Sequence, residues 1–208
     1  DNELCQVWLD VDNVLADSRR RIESHTYNNI LKTSYMEPHE VLQDPMIPLA
    51  NEISNAFFWN GMEVNVITAR GKWPNATETT SLWLQKHGFL YNNIFLTESA
   101  EEKVLQLSRA CVVSCPCLFI DDLRNDWHVS PVGKKTKLNK KLITTYKSNP
   151  YIHLEIFQQP GNNTWQQIAR KYLKYRNTST SLPSPLLARS SVKFSAHVDS
   201  FRNHIRNS

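Results

Sequence analysis

The chain has 208 residues, of which 40% are hydrophobic, and its six tryptophans can help to fill a core of ordinary size. The formal net charge of +4 is a modest basic bias, compatible with anionic partners but not diagnostic of them. Because no apolar run is long enough to span a bilayer and no secretory hydrophobic segment opens the chain, we expect no membrane partner. We expect a cytoplasmic or other intracellular location, and the sequence does not indicate an oligomeric state.

The first predicted strand, residues 5–9, ends in two aspartates in the sequence Val7-Trp8-Leu9-Asp10-Val11-Asp12-Asn13-Val14-Leu15. A strand that runs into a loop can present carboxylates spaced i, i+2 at one point. Acidic residues at the end of an apolar strand are costly unless something uses them, so Asp10 and Asp12 are candidate functional residues.

Hydrophobic periodicity and helix-stop signals predict the remaining elements. A charged helix is predicted at residues 19–31 and an amphipathic one at 45–60, with Gly61 as its C-cap. Ser99 is predicted to cap a helix whose first turn is acidic. The other predicted elements are strands at 64–67, 93–96, 118–120 and 151–157 and helices at 77–87 and 165–175.

Strands that alternate with helices predict an α/β fold, a Rossmann-like three-layer sandwich with a mostly parallel five-stranded sheet. In such sheets the ligand site lies beyond the carboxyl ends of the strands. Polar side chains follow three of the predicted strands, namely Asp10 and Asp12, Thr68, and Asp121 with Asp122. We therefore expect these residues to converge at one edge of the sheet.

Four motifs in chain order resemble those of haloacid dehalogenase (HAD) superfamily phosphatases. The first, Asp10-Val11-Asp12-Asn13-Val14-Leu15, resembles the family's DxDx(T/V)L. The others are Thr68 after the second strand, Lys103 before the fourth, and Asp121-Asp122 at its end. The resemblance covers about residues 4–176. It implies a phosphatase domain over residues 1–176 with a small helical cap insertion at about residues 18–60.

The resemblance also implies a catalytic role for four residues. Asp10 would attack phosphorus and form an aspartyl-phosphate. Asp12 would protonate the leaving oxygen and then deprotonate the attacking water. Thr68 would hydrogen-bond a phosphoryl oxygen, and Lys103 would neutralise charge on Asp10 and on the phosphoryl group.

A magnesium ion is implied as the cofactor, because carboxylates, a carbonyl and water are the ligands that it prefers. Its implied ligands are Asp10, the backbone carbonyl of Asp12, and one of the two acids Asp121 and Asp122, which the sequence does not distinguish. As a plain alternative, a lone DxD is often a turn or a helix cap.

The expected substrate is a phosphorylated small molecule or a nucleic-acid end. The sequences around Thr68 and Asp121 resemble polynucleotide 3′-phosphatases, and the first motif also resembles 5′(3′)-deoxyribonucleotidases. Asn13, which stands where the family usually has glycine, and Arg70 are candidate substrate-binding residues, although Arg70 could equally face solvent.

A lysine-rich loop follows the acidic pair at residues 134–141 and includes Lys134 and Lys135. We expect that this loop could contact nucleic acid; the alternative is that its lysines only face solvent and bind nothing. A competing function of another class is a nucleic-acid-binding or scaffold module that keeps the fold without physiological turnover.

Three further features stand apart from these motifs. The four cysteines, at positions 5, 111, 115 and 117, lack the spacing of a standard metal site, and we expect buried free thiols. Asn75, Asn162 and Asn177 each begin a formal N-glycosylation sequon. Tripeptides of this kind often arise by chance, and we interpret these three as incidental. Residues 177–208 are predicted to be a flexible Ser/Thr/Pro-containing linker and tail.

Overall fold

The structure is a computed structural model that describes residues 3–22, 37–124, 137–158 and 163–173. Its centre is a sheet of five strands in the order β3-β2-β1-β4-β5, and every neighbouring pair is parallel. The predicted α/β fold with a parallel five-stranded sheet is confirmed. The strands are β1 (Gln6–Leu9), β2 (Glu63–Thr68), β3 (Asn93–Leu96), β4 (Cys117–Asp121) and β5 (Ile152–Ile156).

Helices lie on both faces of this sheet, as the alternating pattern requires. They are α1 (Pro38–Val41), α2 (Ala50–Trp59), α3 (Ala76–Lys86), α4 (Ala100–Ala110), α5 (Lys140–Lys147) and α6 (Thr164–Tyr172). Residues 19–22 are also helical. The predicted cap of α4 is present, since the Ser99 side chain accepts a hydrogen bond from the Glu102 amide. Helix α5 was not predicted, because a lysine-rich stretch gave it no clear apolar face.

Two apolar clusters form the core, one on each face of the sheet, because successive side chains of β1 point to opposite faces. Val7 and Leu9 pack in the first cluster with residues of α2, α3 and α6. Trp8 packs in the second with residues of α4 and α5. Both faces of the central strand are thus covered, which explains why β1 reads as a continuous apolar run.

Helix α2 belongs to the sandwich. Its Ile53 and Phe57 are buried in the same cluster as Val7 of the central strand. The part of the predicted insertion at residues 50–59 therefore covers the sheet, and residues 23–36 lie outside the described chain. The cap itself stays a prediction.

All four cysteines are paired in disulfides, so the expectation of buried free thiols is wrong. Cys5 is bonded to Cys115 and Cys111 to Cys117, with Cα–Cα distances of 5.5 and 5.4 Å, within the usual disulfide range. The pairing arises because Cys5 immediately precedes β1 and the other three lie before or at the start of the adjacent parallel β4. Sequence spacing alone does not show that these two strand starts are neighbours.

The described residues all belong to one unit, Asp1–Lys174. Residues 177–208 lie outside the described chain, so the linker and tail stay a prediction. Among the helices that the structure describes, none is both long and apolar enough to cross a bilayer.

Candidate active site

A cavity of about 270 Å³ opens at the carboxyl ends of β1, β2 and β4. The order of the sheet explains its position, because the chain leaves β1 toward β2 on one side and reaches β4 on the other, as at the switch points of doubly wound sheets. The predicted residues that line it are Asp10, Asp12, Asn13, Thr68, Arg70, Lys103, Asp121 and Asp122. The structure brings these residues together from four separate parts of the chain.

Lys103 connects two of the acids. Its Nζ donates hydrogen bonds to Asp10 Oδ1 at 2.7 Å and to Asp121 Oδ2 at 2.9 Å. All three side chains are buried. The lysine reaches them because it lies in the first turn of α4, the helix that follows β3. The second oxygen of Asp121 accepts the Leu123 amide at 2.8 Å, which fixes the orientation of this carboxylate.

The acids around Lys103 carry an excess of negative charge. Oxygens of Asp10, Asp121 and Asp122 lie within 4.8 Å of one another, and all three residues are buried. Three carboxylates against one ammonium leave a formal charge of −2 when all are ionised. Burial raises the pKa of Asp10 to about 7, opposed by Lys103 and reinforced by the neighbouring Asp121 and Asp12 carboxylates. A hard divalent cation such as Mg²⁺ fits this all-oxygen donor set and would relieve the repulsion.

Asp12 has different surroundings from Asp10, although only one residue separates them. Arg70 donates from Nε to Asp12 Oδ2 at 2.9 Å and from Nη2 to Asp12 Oδ1 at 2.6 Å. The same Oδ1 also accepts from Ser18 Oγ at 2.6 Å and from Arg21 Nη2 at 3.1 Å. The Asp12 carboxylate is therefore held by two guanidinium groups and a hydroxyl, which we call the Asp12 clamp.

The clamp keeps Asp12 ionised. Burial by itself would raise the pKa of Asp12, but the charges and hydrogen bonds of Arg70, together with Arg21 and Ser18, hold that pKa well below its usual range. Two nearby carboxyls thus have pKa values that are pushed in opposite directions.

A further ion pair holds Arg21, one of the residues of the Asp12 clamp. Arg21 Nε donates to both oxygens of Asp44 at 3.0 Å, and its Nη2 donates to Asp44 Oδ2 at 2.8 Å. The backbone carbonyl of Asp44 accepts the indole N–H of Trp83 at 2.9 Å. Sequence reasoning missed this pair. Arg21 is one of several charged residues in the helix predicted at residues 19–31, and Asp44 lies in a stretch without periodicity.

Asn13 lies against the cavity in a left-handed backbone conformation, with φ of 63°. Asparagine tolerates this region better than most residues, which explains how the loop forms without glycine. Its side chain is buried, and neither its amide nitrogen nor its oxygen has a hydrogen-bond partner in the described chain. A buried amide without partners is costly unless a ligand satisfies it. The other two predicted substrate-binding residues, Lys134 and Lys135, lie outside the described residues.

Neither a family model nor a curated protein sequence matches the chain. Solved structures with similar folds include a hydrolase from Streptococcus pneumoniae TIGR4, with 9% identity, a TM-score of 0.49, and coverage of 81% of this chain and 98% of that one. A haloacid dehalogenase-like hydrolase from Bacteroides fragilis has 12% identity, a TM-score of 0.43, and coverage of 74% and 97%.

The D,D-heptose 1.7-bisphosphate phosphatase from B. bronchiseptica, complexed with magnesium and phosphate, has 14% identity, a TM-score of 0.40, and coverage of 79% and 99%. Identities and TM-scores this low say nothing about the activity of this chain. The chemistry of its site therefore has to be inferred from its own residues.

Proposed function

We propose that the chain is a magnesium-dependent phosphomonoesterase of haloacid dehalogenase type that acts on a nucleotide or polynucleotide phosphate. The observation that carries the proposal is the buried Lys103 bridge between Asp10 and Asp121, in the lining of a cavity that Thr68 and Asp12 also line. A cluster this rich in buried charge is costly to build, and such clusters concentrate at functional sites.

Asp10 is the proposed nucleophile. Its carboxylate would attack phosphorus, and the ester oxygen would leave with the bond electrons, giving an aspartyl-phosphate that water then hydrolyses. A bound divalent ion would supply positive charge between the anionic nucleophile and the anionic substrate. Thr68, at the end of β2, would donate to a phosphoryl oxygen, and Lys103 would offset the charge that develops there.

Asp12 is the proposed proton-transfer residue, and the clamp determines when it can act. An ionised Asp12 can accept a proton from the attacking water in the second step. To protonate the leaving oxygen in the first step, it must lose part of the stabilisation from Arg70 and Arg21. A phosphate dianion that enters the cavity would compete for Arg70, because guanidinium groups bind phosphate and carboxylate in the same bidentate way.

The nucleotide part of the proposal depends on the surroundings of the cavity. Arg70 and Lys103 line it. The side chains of Lys137, just before α5, and of Lys140 and Lys141, at the start of α5, are exposed. Asn139, at the start of the same helix, also lines the cavity. An extended polyanion whose terminal phosphate reached Asp10 would therefore have cations within reach.

The activity is tested with a chromogenic phosphate ester in the presence of Mg²⁺ and after removal of divalent ions. We expect hydrolysis only with the metal, and a loss of at least about a thousandfold in kcat for Asp10→Asn, since nucleophile removal costs several powers of ten. Asp17→Asn, at a partly exposed acid that is not part of the cavity, is the matched control. Turnover that survives Asp10→Asn would refute the assignment.

The substrate class is tested separately with nucleoside monophosphates, 3′-phosphorylated oligonucleotides and sugar phosphates. The triple variant Lys134→Ala, Lys135→Ala and Lys137→Ala should weaken oligonucleotide binding and flatten its dependence on salt, yet leave hydrolysis of the small ester unchanged. Lys147→Ala, at the opposite end of α5, is the control. Equal losses on both substrates would contradict a role in polynucleotide binding.

A further inference from the structure

Asn75 begins the one glycosylation sequon, Asn75-Ala76-Thr77, that lies wholly within the described residues. It occupies the N-cap position of α3 with φ of 57°, and its side chain makes no capping hydrogen bond. Asn75 and Thr77 are both exposed, and the residue between them is alanine, so proline does not block the motif. The acceptor amide is therefore accessible on the surface.

The two disulfides are an independent observation, and they bear on the redox environment in which the chain folds. Disulfides form and persist in oxidising environments and are rare where glutathione and thioredoxin keep thiols reduced. Here every cysteine is paired, and one bond joins positions 110 residues apart. The start of β1 is thereby tied to the start of the neighbouring β4. Such pairing favours maturation in an oxidising compartment, whereas the sequence favoured an intracellular location.

From these two observations we propose that Asn75 carries an N-linked glycan and that the chain matures in an oxidising secretory compartment. The Nδ2 atom of Asn75 would form a bond to the anomeric carbon of an oligosaccharide carried on a lipid diphosphate. The bond from that carbon to the diphosphate oxygen breaks, the diphosphate leaves with the electron pair, and Nδ2 loses a proton to a base. The product is an amide-linked glycan on a surface loop.

The position of Asn75 gives the modification a consequence for its loop. The loop that carries it joins the end of β2, where Thr68 lies, to α3, and Trp73 in this loop lines the cavity. A glycan at Asn75 would stand two residues from a cavity-lining side chain. It would shield this loop from proteolysis.

The test is secretion of the full 208-residue chain from a eukaryotic cell, with Asn162→Gln and Asn177→Gln in the background so that Asn75 is the remaining acceptor. We expect a mass shift that a peptide-N-glycosidase removes by hydrolysing the side-chain amide, leaving Asp at position 75. Thr77→Ser keeps the acceptor hydroxyl and should keep the shift, and Thr77→Val is a close isostere that should lose it. A folded, secreted chain without a glycan at Asn75 would overturn the proposal.

The disulfide pairing on which the inferred compartment depends is tested on the same material by thiol alkylation without reductant. The secreted chain should show no reactive thiols, and reduction should lower its Tm. Four free thiols in the secreted chain, or an unchanged Tm after reduction, would overturn the inference about the compartment. Neither result depends on phosphatase activity, so failure here and failure of the proposed function are distinguishable.

Discussion

The Asp12 clamp should make a large pairwise contribution to stability, which a double-mutant cycle of Arg70→Met and Asp12→Ala would measure. Arg70 is 3% exposed and donates two hydrogen bonds to Asp12. Hydrogen bonds to charged groups contribute about 1.5–3 kcal/mol each. Arg21 still holds Asp12 in the Arg70 variant, and the Asp12 side chain is 27% exposed, so we reduce the expected coupling to about 2 kcal/mol.

The pair Arg19 and Asp17 provides a matched control. Arg19 donates to Asp17 from Nε at 2.8 Å and from Nη2 at 2.7 Å, so the geometry is similar, but Arg19 is 36% exposed. Its coupling should be at most about 1 kcal/mol, as for other exposed pairs. Both cycles are read from urea unfolding of the four variants of each pair. Equal couplings, or a value below about 0.5 kcal/mol for the clamp, would refute the claim that burial makes this contact strong.

Three further predictions follow from single contacts. Lys103→Met should lower the free energy of unfolding by about 3–5 kcal/mol without divalent ions, because it leaves buried carboxylates unpaired. The control Arg109→Met, at an exposed position of the same helix, should change this free energy little. Comparable losses in the two variants would contradict the buried bridge. In urea unfolding, the Asn13→Gly variant should be more stable than the Asn13→Ala variant by about 1 kcal/mol, because φ at this position is positive. The opposite order would mean that the loop has another conformation. Replacing Cys5 and Cys115 by alanine should lower the free energy of unfolding by about 2–3 kcal/mol more than removing the other disulfide, because the bonded cysteines are 110 residues apart rather than 6. A smaller difference in calorimetry would count against the loop-entropy explanation.

The sequence predicted most of the sheet because buried parallel strands are short apolar runs, and their ends are marked by polar residues. Each predicted strand lies within about one residue of the observed strand at either end. The cavity-lining residues were found for the same reason, since Asp10, Thr68 and Asp121 each stand where a strand ends. Their convergence follows from strand order, which a sequence of alternating strands and helices constrains strongly.

Contacts between segments whose positions in the sheet do not follow from the hydrophobic pattern were harder to predict. The pair of Arg21 and Asp44 joins the helical residues 19–22 to an irregular segment, and nothing in either segment shows that the other is near. The disulfides were missed because the starts of β1 and β4 are far apart in the chain and adjacent only in the sheet. The carboxylates of Asp10 and Asp12 looked alike in sequence, and only their neighbours separate them into a lysine-bridged acid and a clamped one.

Trp165 is buried in the last described helix, and its indole N–H donates to the backbone carbonyl of Val14 at 2.9 Å. Val14 belongs to the loop that immediately follows Asp12. The turn that follows Asp12 is therefore anchored by a residue 151 positions later. During synthesis this anchor becomes available only after nearly the whole domain has left the ribosome, and any shortening from the carboxyl end must stop beyond α6 to keep the turn in place.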